Sequence, residues 1–218
     1  MGILSSLRNF HKKRPGLGML LVVVLSLGLV GGVPLLASSR HFSPGGGNPE
    51  AVEPAFVQEE IAKLESQRED LTRKLESQKD HAPLYVQLGD VETYLGFLYS
   101  NYAKDWEKAQ SSYREALASY QKAQALNPQD YGLYPRMINA ALYVGEGEVA
   151  LELFRKALDL NPGDNEMRLN YGYYLALRGD LQGAVQQWEE ILKHNPSPEM
   201  AQTVQDMLAK IKDLQGGK

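Results

Sequence analysis

A period of 34 residues runs through the second half of this chain of 218 amino acids. Small, aromatic and proline residues recur in register with that period. They are Ala116, Ala150 and Ala184; Tyr120, Phe154 and Trp188; and Pro128, Pro162 and Pro196. A fixed period of this size is typical of stacked copies of one supersecondary unit. Because a small residue lets helices approach, an aromatic residue one turn later fills the adjacent space, and proline ends a helix, the unit is a helix-turn-helix pair.

This pattern resembles the tetratricopeptide repeat (TPR), and the resemblance covers roughly residues 82–214. The middle repeat has Tyr134 where the family favours tryptophan, and the third repeat keeps the family's glycine as Gly172. Turn glycines recur in phase at Gly145 and Gly179. The resemblance implies an all-α solenoid that binds a protein or peptide and catalyses no reaction.

The first repeat departs from the family pattern in length. Leu88 and Gly89 resemble the family's Leu-Gly pair, but Leu88 stands 28 residues before Ala116, about 15 more than the family has. Seven or eight residues make about two helical turns, so both helices of this repeat are predicted to be about two turns longer than usual. The extra length suggests either a contact surface or the ordinary variation of a terminal repeat.

The N-terminal 40 residues differ sharply from the rest. They carry five Lys or Arg and no acid, whereas residues 41–218 carry 18 basic and 27 acidic side chains. Residues 17–38 contain no charge and are long enough to cross a bilayer as a helix. Because four of the five basic residues precede this segment and only Arg40 follows it, the sequence predicts a single-pass cell-membrane protein with a cytoplasmic basic tip at 1–16. A cleaved signal peptide is the alternative, although its apolar region is usually shorter.

Two segments separate the apolar stretch from the repeats. Residues 39–54 are rich in glycine, proline and small polar residues and are interpreted as a flexible linker. Residues 55–80 are predicted to form an amphipathic or coiled-coil helix with an apolar stripe interrupted by Arg68. Its members are Val57, Ile61, Leu64, Leu71 and Leu75. The stripe either pairs with a second copy of the chain or folds back on the first repeat.

Composition excludes several kinds of chemistry. The chain has no cysteine, its four histidines show no metal-ligand spacing, and no glycine loop follows a strand. The acidic part after residue 40 does not favour nucleic acid, which requires clustered Lys and Arg. We therefore expect no enzyme activity, no cofactor, no metal site and no nucleic-acid partner.

The remaining function is protein recognition. In TPR proteins the first helix of each repeat lines the concave face, and this resemblance implies a peptide-binding groove in the second and third repeats. Its residues would be Arg136, Asn139, Leu142, Tyr143, Leu169, Asn170, Tyr173 and Leu177. All 12 tyrosines lie between Tyr85 and Tyr174, which suits a recognition surface, but many must serve packing. Tyr120, Tyr134 and Tyr171 are the first candidates for the core.

The sequence as a whole predicts an all-α, membrane-anchored TPR protein of bacterial type. The repeats would occupy about 82–128, 129–162 and 163–196 and lie outside the cytoplasm. A helix at 197–214, introduced by Ser197 and Pro198, would cap the last repeat. The predicted function is a tethered scaffold or assembly factor that binds a partner peptide. The alternative is a structural homodimer held by the 55–80 helix and the membrane segment, where Gly28 and Gly32 form a G-x-x-x-G pair.

Overall fold

The computed structural model describes residues 54–216 and confirms an all-α fold for that part of the chain, in which no strand occurs. The helices are α1 (Pro54–Ser77), α2 (Ala82–Leu98), α3 (Trp106–Leu126), α4 (Leu133–Val144), α5 (Gly147–Leu160), α6 (Asn165–Leu177), α7 (Leu181–Lys193) and α8 (Pro198–Gly216). A π-helical segment, Tyr99–Ala103, extends α2. Within residues 54–216 no helix has the length and apolar character needed to span a membrane. The segments 1–16, 17–38 and nearly all of 39–54 lie outside the described residues.

The chain divides into two compact units, which meet within α5 between Ala150 and Leu151. Of the described residues, 54–150 belong to the first unit and 151–216 to the second. In the first unit, α1 packs on α2, α2 on α3, and α3 on α4. Each helix therefore buries one face against its neighbour in sequence, as expected of stacked helical repeats.

The apolar stripe of α1 folds back on α2. All five stripe residues are buried, and they share a core cluster with α2 residues such as Val91 and Leu95. Arg68, which interrupts the stripe, reaches the buried carboxylate of Glu92 at 3.9 Å. The hydroxyl of Tyr99 donates a hydrogen bond of 2.7 Å to Glu65. Of the two interpretations of residues 55–80, the structure shows the folded-back helix.

The first helix pair is longer than the others, as the sequence predicts. Helix α3 has 21 residues against 14 in α5 and 13 in α7. A β-carbon at Gly89 would overlap the ring of Tyr120, and one at Gly96 would lie 2.8 Å from the ring of Tyr113. Both glycines and both tyrosines are seven residues apart, which is close to two turns. The extension thus repeats the same glycine-tyrosine contact on the same helix faces.

A turn with left-handed backbone joins the long pair. The π-helical segment ends at Lys104, whose φ of 58° is uncommon for a residue with a β-carbon. Asp105 then begins α3 by accepting a 3.0 Å hydrogen bond from the backbone N–H of Lys108. In the first unit α4 ends instead at Gly145, whose φ of 90° suits glycine.

The second unit is built on the same principle. The ring of Trp188 on α7 is fully buried and lies where a β-carbon of Gly172 on α6 would be. Its indole N–H donates to the backbone oxygen of Leu169 at 3.3 Å. Phe154 on α5 stacks on Tyr171 with ring centroids 5.2 Å apart. The aromatic positions of the 34-residue period are therefore packing residues.

Helix α8 closes the second unit. Ser197 accepts a 3.2 Å hydrogen bond from the backbone N–H of Met200, which caps the start of the helix. Helix α8 packs on α7 with Val204, Met207 and Ile211 buried. This apolar face would otherwise be exposed at the end of the repeats.

Candidate functional site

One face of α4 presents three different kinds of side chain. Arg136, Asn139 and Tyr143 follow one another at spacings of three and four residues, which places them on one side of the helix. Arg136 and Tyr143 are exposed, and Asn139 is half-buried. On the opposite side, Met137 and Ala141 are buried. The α4 face therefore combines a cation, an amide and an aromatic ring.

A neighbouring helix fixes the guanidinium of Arg136. Its Nε lies 3.1 Å from Asp90 Oδ1 on α2, and its Nη1 donates to the backbone oxygen of Gly132 at 2.9 Å. Asp90 also accepts a 2.8 Å hydrogen bond from the hydroxyl of buried Tyr120. Because the Tyr120 hydroxyl fixes Asp90, the guanidinium of Arg136 also has a defined position. Part of that guanidinium still faces solvent.

The ring of Tyr143 is also held in place. It stacks on buried Tyr113 of α3, with centroids 4.3 Å apart and planes 9° apart, yet Tyr143 remains 45% exposed. An exposed ring with one face already packed loses little further freedom when a ligand covers the other face.

The corresponding face of α6 is less accessible. Asn170, Tyr173 and Leu177 share one side of the helix, and all three are half-buried. The ring of Tyr173 meets the edge of Trp188, with centroids 5.5 Å apart. Burial raises the pKa of Tyr173 to about 12, so this hydroxyl stays protonated at neutral pH. Tyr173 therefore belongs partly to the core of its unit.

The leucines of the predicted groove are half-buried. Leu142 on α4 and Leu169 and Leu177 on α6 each combine packing with some accessible surface. Leu169 also supplies the carbonyl that holds the Trp188 indole. Tyr120, Tyr134 and Tyr171 are all buried, so their assignment to the core is confirmed.

Sequence reasoning missed the residues that hold the α4 face in position. Asp90 lies 46 residues before Arg136, and Tyr113 lies 30 residues before Tyr143. Neither residue belongs to the period, because both come from the elongated helix pair. Only the predicted extra turns gave a signal that α2 and α3 carry contacts which an ordinary repeat lacks.

Residues 54–216 contain no group of three His, Asp or Glu side chains that could hold a metal ion. Glu92 is deeply buried, and its burial raises the pKa, although nearby Arg68 opposes the shift. One oxygen of Glu92 has no hydrogen-bond partner, but it lies inside the core and not on an accessible surface. The exposed α4 face is the better candidate for function.

Comparison with known proteins agrees with this geometry. A family model described as tetratricopeptide repeat matches residues 136–198, which run from Arg136 on α4 to the start of α8. Residues 136–198 are thus similar to tetratricopeptide repeats. Repeats of this family bind protein or peptide partners and are generally not enzymes. The TPR fold is that of a protein-protein interaction scaffold.

Curated relatives match the chain only locally. It is 29% identical to DnaJ homolog subfamily C member 3 from both Bos taurus and Homo sapiens over 101 residues, or 46% of the chain. The chain spans 20% of the length of these relatives. The shared part is therefore a segment of a much longer protein.

A solved structure shows the same helical repeat fold. A thermophilic TPR protein of Thermus thermophilus superposes with a TM-score of 0.53 at 19% identity, covering 74% of this chain and 84% of that one. YrrB, a TPR protein described as having an unusual peptide-binding site, gives a TM-score of 0.35 at 21% identity, covering 59% and 76%. At 19% identity, the similarity to the Thermus thermophilus protein establishes only the helical repeat fold.

Proposed function

We propose that this protein is a membrane-tethered scaffold that binds an extended segment of a partner protein on the α4 face, defined by Arg136, Asn139 and Tyr143. The observation that carries the proposal is that Asp90 and Tyr113 hold the cation and the aromatic ring of this face while both remain exposed. Preorganised side chains reduce the entropy lost when a ligand binds.

The spacing of the α4 face suggests the chemistry of the ligand. Arg136 and Tyr143 are seven residues apart, or about 10 Å along a helix at 1.5 Å per residue. A peptide in the polyproline II conformation rises about 3.1 Å per residue with about three residues per turn, so it covers that distance in about three residues and presents both side chains to the same side. The guanidinium suits a carboxylate, the ring suits an apolar side chain, and the amide of Asn139 can bond the peptide backbone between them. The preferred ligand therefore carries an acidic residue about three positions from an apolar one.

Residues 17–38 supply the tether. We propose that they cross the cell membrane once, with residues 1–16 in the cytoplasm and the repeats outside it, as the charge distribution favours. A tether concentrates bound partners near the bilayer, which suits an assembly factor. Membrane fractionation tests this part, since deletion of 17–38 should release the protein. Protease added outside intact cells should digest the repeats, and their protection until the cells are opened would contradict the orientation.

A peptide library tests recognition directly. Eight-residue peptides are selected for binding to the full-length protein in detergent micelles. We expect enrichment of Asp or Glu three positions from Leu, Ile or Phe. Arg136→Ala should remove the acidic preference, and Tyr143→Ala the apolar preference, each weakening binding of a selected peptide about tenfold, or about 1.4 kcal/mol.

The control for Tyr143→Ala is Tyr102→Ala, which removes a similarly exposed tyrosine from the π-helical segment. It should leave peptide binding unchanged. Thermal unfolding must show that all three variants remain folded. Selection of the same peptides by wild type and by Arg136→Ala would show that the α4 face is not the binding site.

A homodimeric structural module is the other function that the sequence suggests. Its helical contact would need the stripe on α1, but α1 uses that stripe to pack on α2 of the same chain. The scaffold function therefore has the stronger support.

A further inference from the structure

Exposed aromatic side chains gather at one end of the first unit. Among residues 54–213, three of the six large apolar side chains that are exposed are Phe56 at the start of α1, Tyr102 at the end of the π-helical segment, and Trp106 at the start of α3. Their exposed fractions are 51%, 40% and 56%. We name these three residues the aromatic end.

Cross-helix contacts place the three residues at the same level. Along α1 and α2, Glu65 meets Tyr99 and the later residue Arg68 meets the earlier residue Glu92, so the two helices are antiparallel. Helices α2 and α3 are antiparallel as well, because Gly89 meets Tyr120 and Gly96 meets Tyr113. The start of α1, the end of α2 and the start of α3 therefore lie together.

Half-buried rings support Tyr102. The ring of Phe97 meets the edge of Tyr102, with centroids 5.9 Å apart, and stacks with Tyr94 at 6.3 Å. Both supporting residues pack against the core cluster of the unit. At Tyr102 the aromatic end therefore continues the packed core of the unit.

Charges at this end have both signs. Lys104 and Lys108 are exposed there together with Glu59 and Glu107, and Asp105 is half-buried as the cap of α3. Lys104 donates to the backbone oxygen of Asn101, and Lys108 lies 5.2 Å from the ring centroid of Tyr99. Such a mixture gives no strong net potential, so aromatic contact must provide the attraction to any partner.

The chain enters the first unit at this end. Helix α1 begins at Pro54, beside Phe56, and 15 residues separate it from the uncharged segment 17–38. Even when fully extended, 15 residues reach only about 50 Å. The tether therefore joins the first unit at the aromatic end and keeps this end within about 50 Å of the bilayer.

We propose that the aromatic end rests on the membrane, with Phe56, Tyr102 and Trp106 at the level of the lipid headgroups. Tyrosine and tryptophan are enriched at this level because one part of the side chain is apolar and another can form hydrogen bonds, and phenylalanine adds apolar area there. The contact would orient the first unit and limit the directions open to the α4 face. This inference rests on the membrane tether of the proposed function.

Tryptophan fluorescence tests the contact. The chain has two tryptophans, exposed Trp106 and fully buried Trp188. Full-length protein is reconstituted into phosphatidylcholine vesicles in which part of the lipid carries bromine on its acyl chains near the headgroup. We expect the brominated lipid to quench about half of the wild-type emission. In Trp106→Phe, which leaves only Trp188, we expect no quenching.

Iodide, a quencher dissolved in the water, shows whether water or protein contacts the aromatic end when lipid does not. If iodide quenches Trp106 and brominated lipid does not, this end faces water and the proposal is wrong. If neither quenches it, protein covers the patch and the proposal is equally wrong. Flotation of the same vesicles tests the tether independently. If the protein floats with the vesicles but lipid does not quench it, only the aromatic contact is wrong. If the protein does not float, the tether itself is wrong.

Discussion

At the scale of single residues, close contact between glycine and an aromatic ring determines how the helix pairs assemble. Gly89, Gly96 and Gly172 each face a ring on the following helix, at a distance that leaves no room for a β-carbon. Tyr120, Tyr113 and Trp188 fill these places. A ring that lies directly on the backbone of its neighbour lets two helices approach closely while burying a large apolar area.

Gly172→Ala should destabilise the second unit. The new methyl group would meet the indole of Trp188, which is fully buried. We expect a loss of about 1–3 kcal/mol, the usual effect of overfilling a core. Urea unfolding of full-length protein in detergent measures the loss.

The matched control is Gly163→Ala, in the exposed turn before α6. Its nearest neighbour would be Asn161 Oδ1 at 3.8 Å, so the change should stay within about 0.5 kcal/mol. Equal stability of the two variants would mean that Trp188 can shift and that the close contact is not required.

Glu92 should make stability depend on pH. Its pKa in the folded protein is raised above the ordinary value of 4.5, chiefly by burial. The stability that its protonated form contributes is therefore present below pH 4.5 and is lost as the pH rises through the raised pKa. Because the side chain of Glu92→Gln cannot ionise, we expect the melting temperature of this variant to fall less between pH 4.5 and 7 than that of the wild type.

Circular dichroism melts at several pH values provide the measurement for Glu92. Glu69→Gln, which changes an exposed glutamate of α1, is the control and should follow the wild-type profile. If Glu92→Gln also followed that profile, Arg68 would be compensating the buried charge fully.

At the scale of elements, α1 is an added helix that completes the first unit. Its five buried residues cover apolar α2 side chains that would otherwise face water, including Val91 and Leu95. Arg68 and Glu65 add polar contacts to α2 and to the π-helical segment. The helix needs this support, because an isolated amphipathic helix of 24 residues in water gains little from propensity alone.

Leu71→Ala tests the packing of α1. Leu71 is 3% exposed, so removal of its side chain should cost about 2–5 kcal/mol and lower the melting temperature of the first unit. Leu126→Ala, at an exposed position 40% accessible at the end of α3, should have little effect. Sedimentation measures the association state of Leu71→Ala. If that state changed while the melting temperature did not, the stripe would join two copies of the chain.

At the scale of the whole molecule, the 34-residue period and the breaks at glycine and proline were enough to predict an all-α fold. They located the first helices of the repeats because each copy repeats the same local signals. The apolar stripe of α1 was also visible, but not its partner, since a stripe alone does not say which surface covers it.

The supports of the candidate site could not be predicted in this way. Asp90 and Tyr113 hold Arg136 and Tyr143 from positions that are distant in sequence and outside the period. Their contacts depend on how far α2 and α3 extend, which is a property of the folded pair. The exposed end formed by Phe56, Tyr102 and Trp106 was hidden for the same reason, because three separate elements bring it together.

The doubled glycine-tyrosine contact also limits how this protein can evolve in length. Gly89 and Tyr120, like Gly96 and Tyr113, stay opposite each other only if α2 and α3 change together. An insertion of one or two residues in either helix would rotate one ring away from its glycine by about 100° per residue. Matched insertions or deletions of seven residues in both helices would be tolerated, so natural variants of this hairpin should differ by whole pairs of turns.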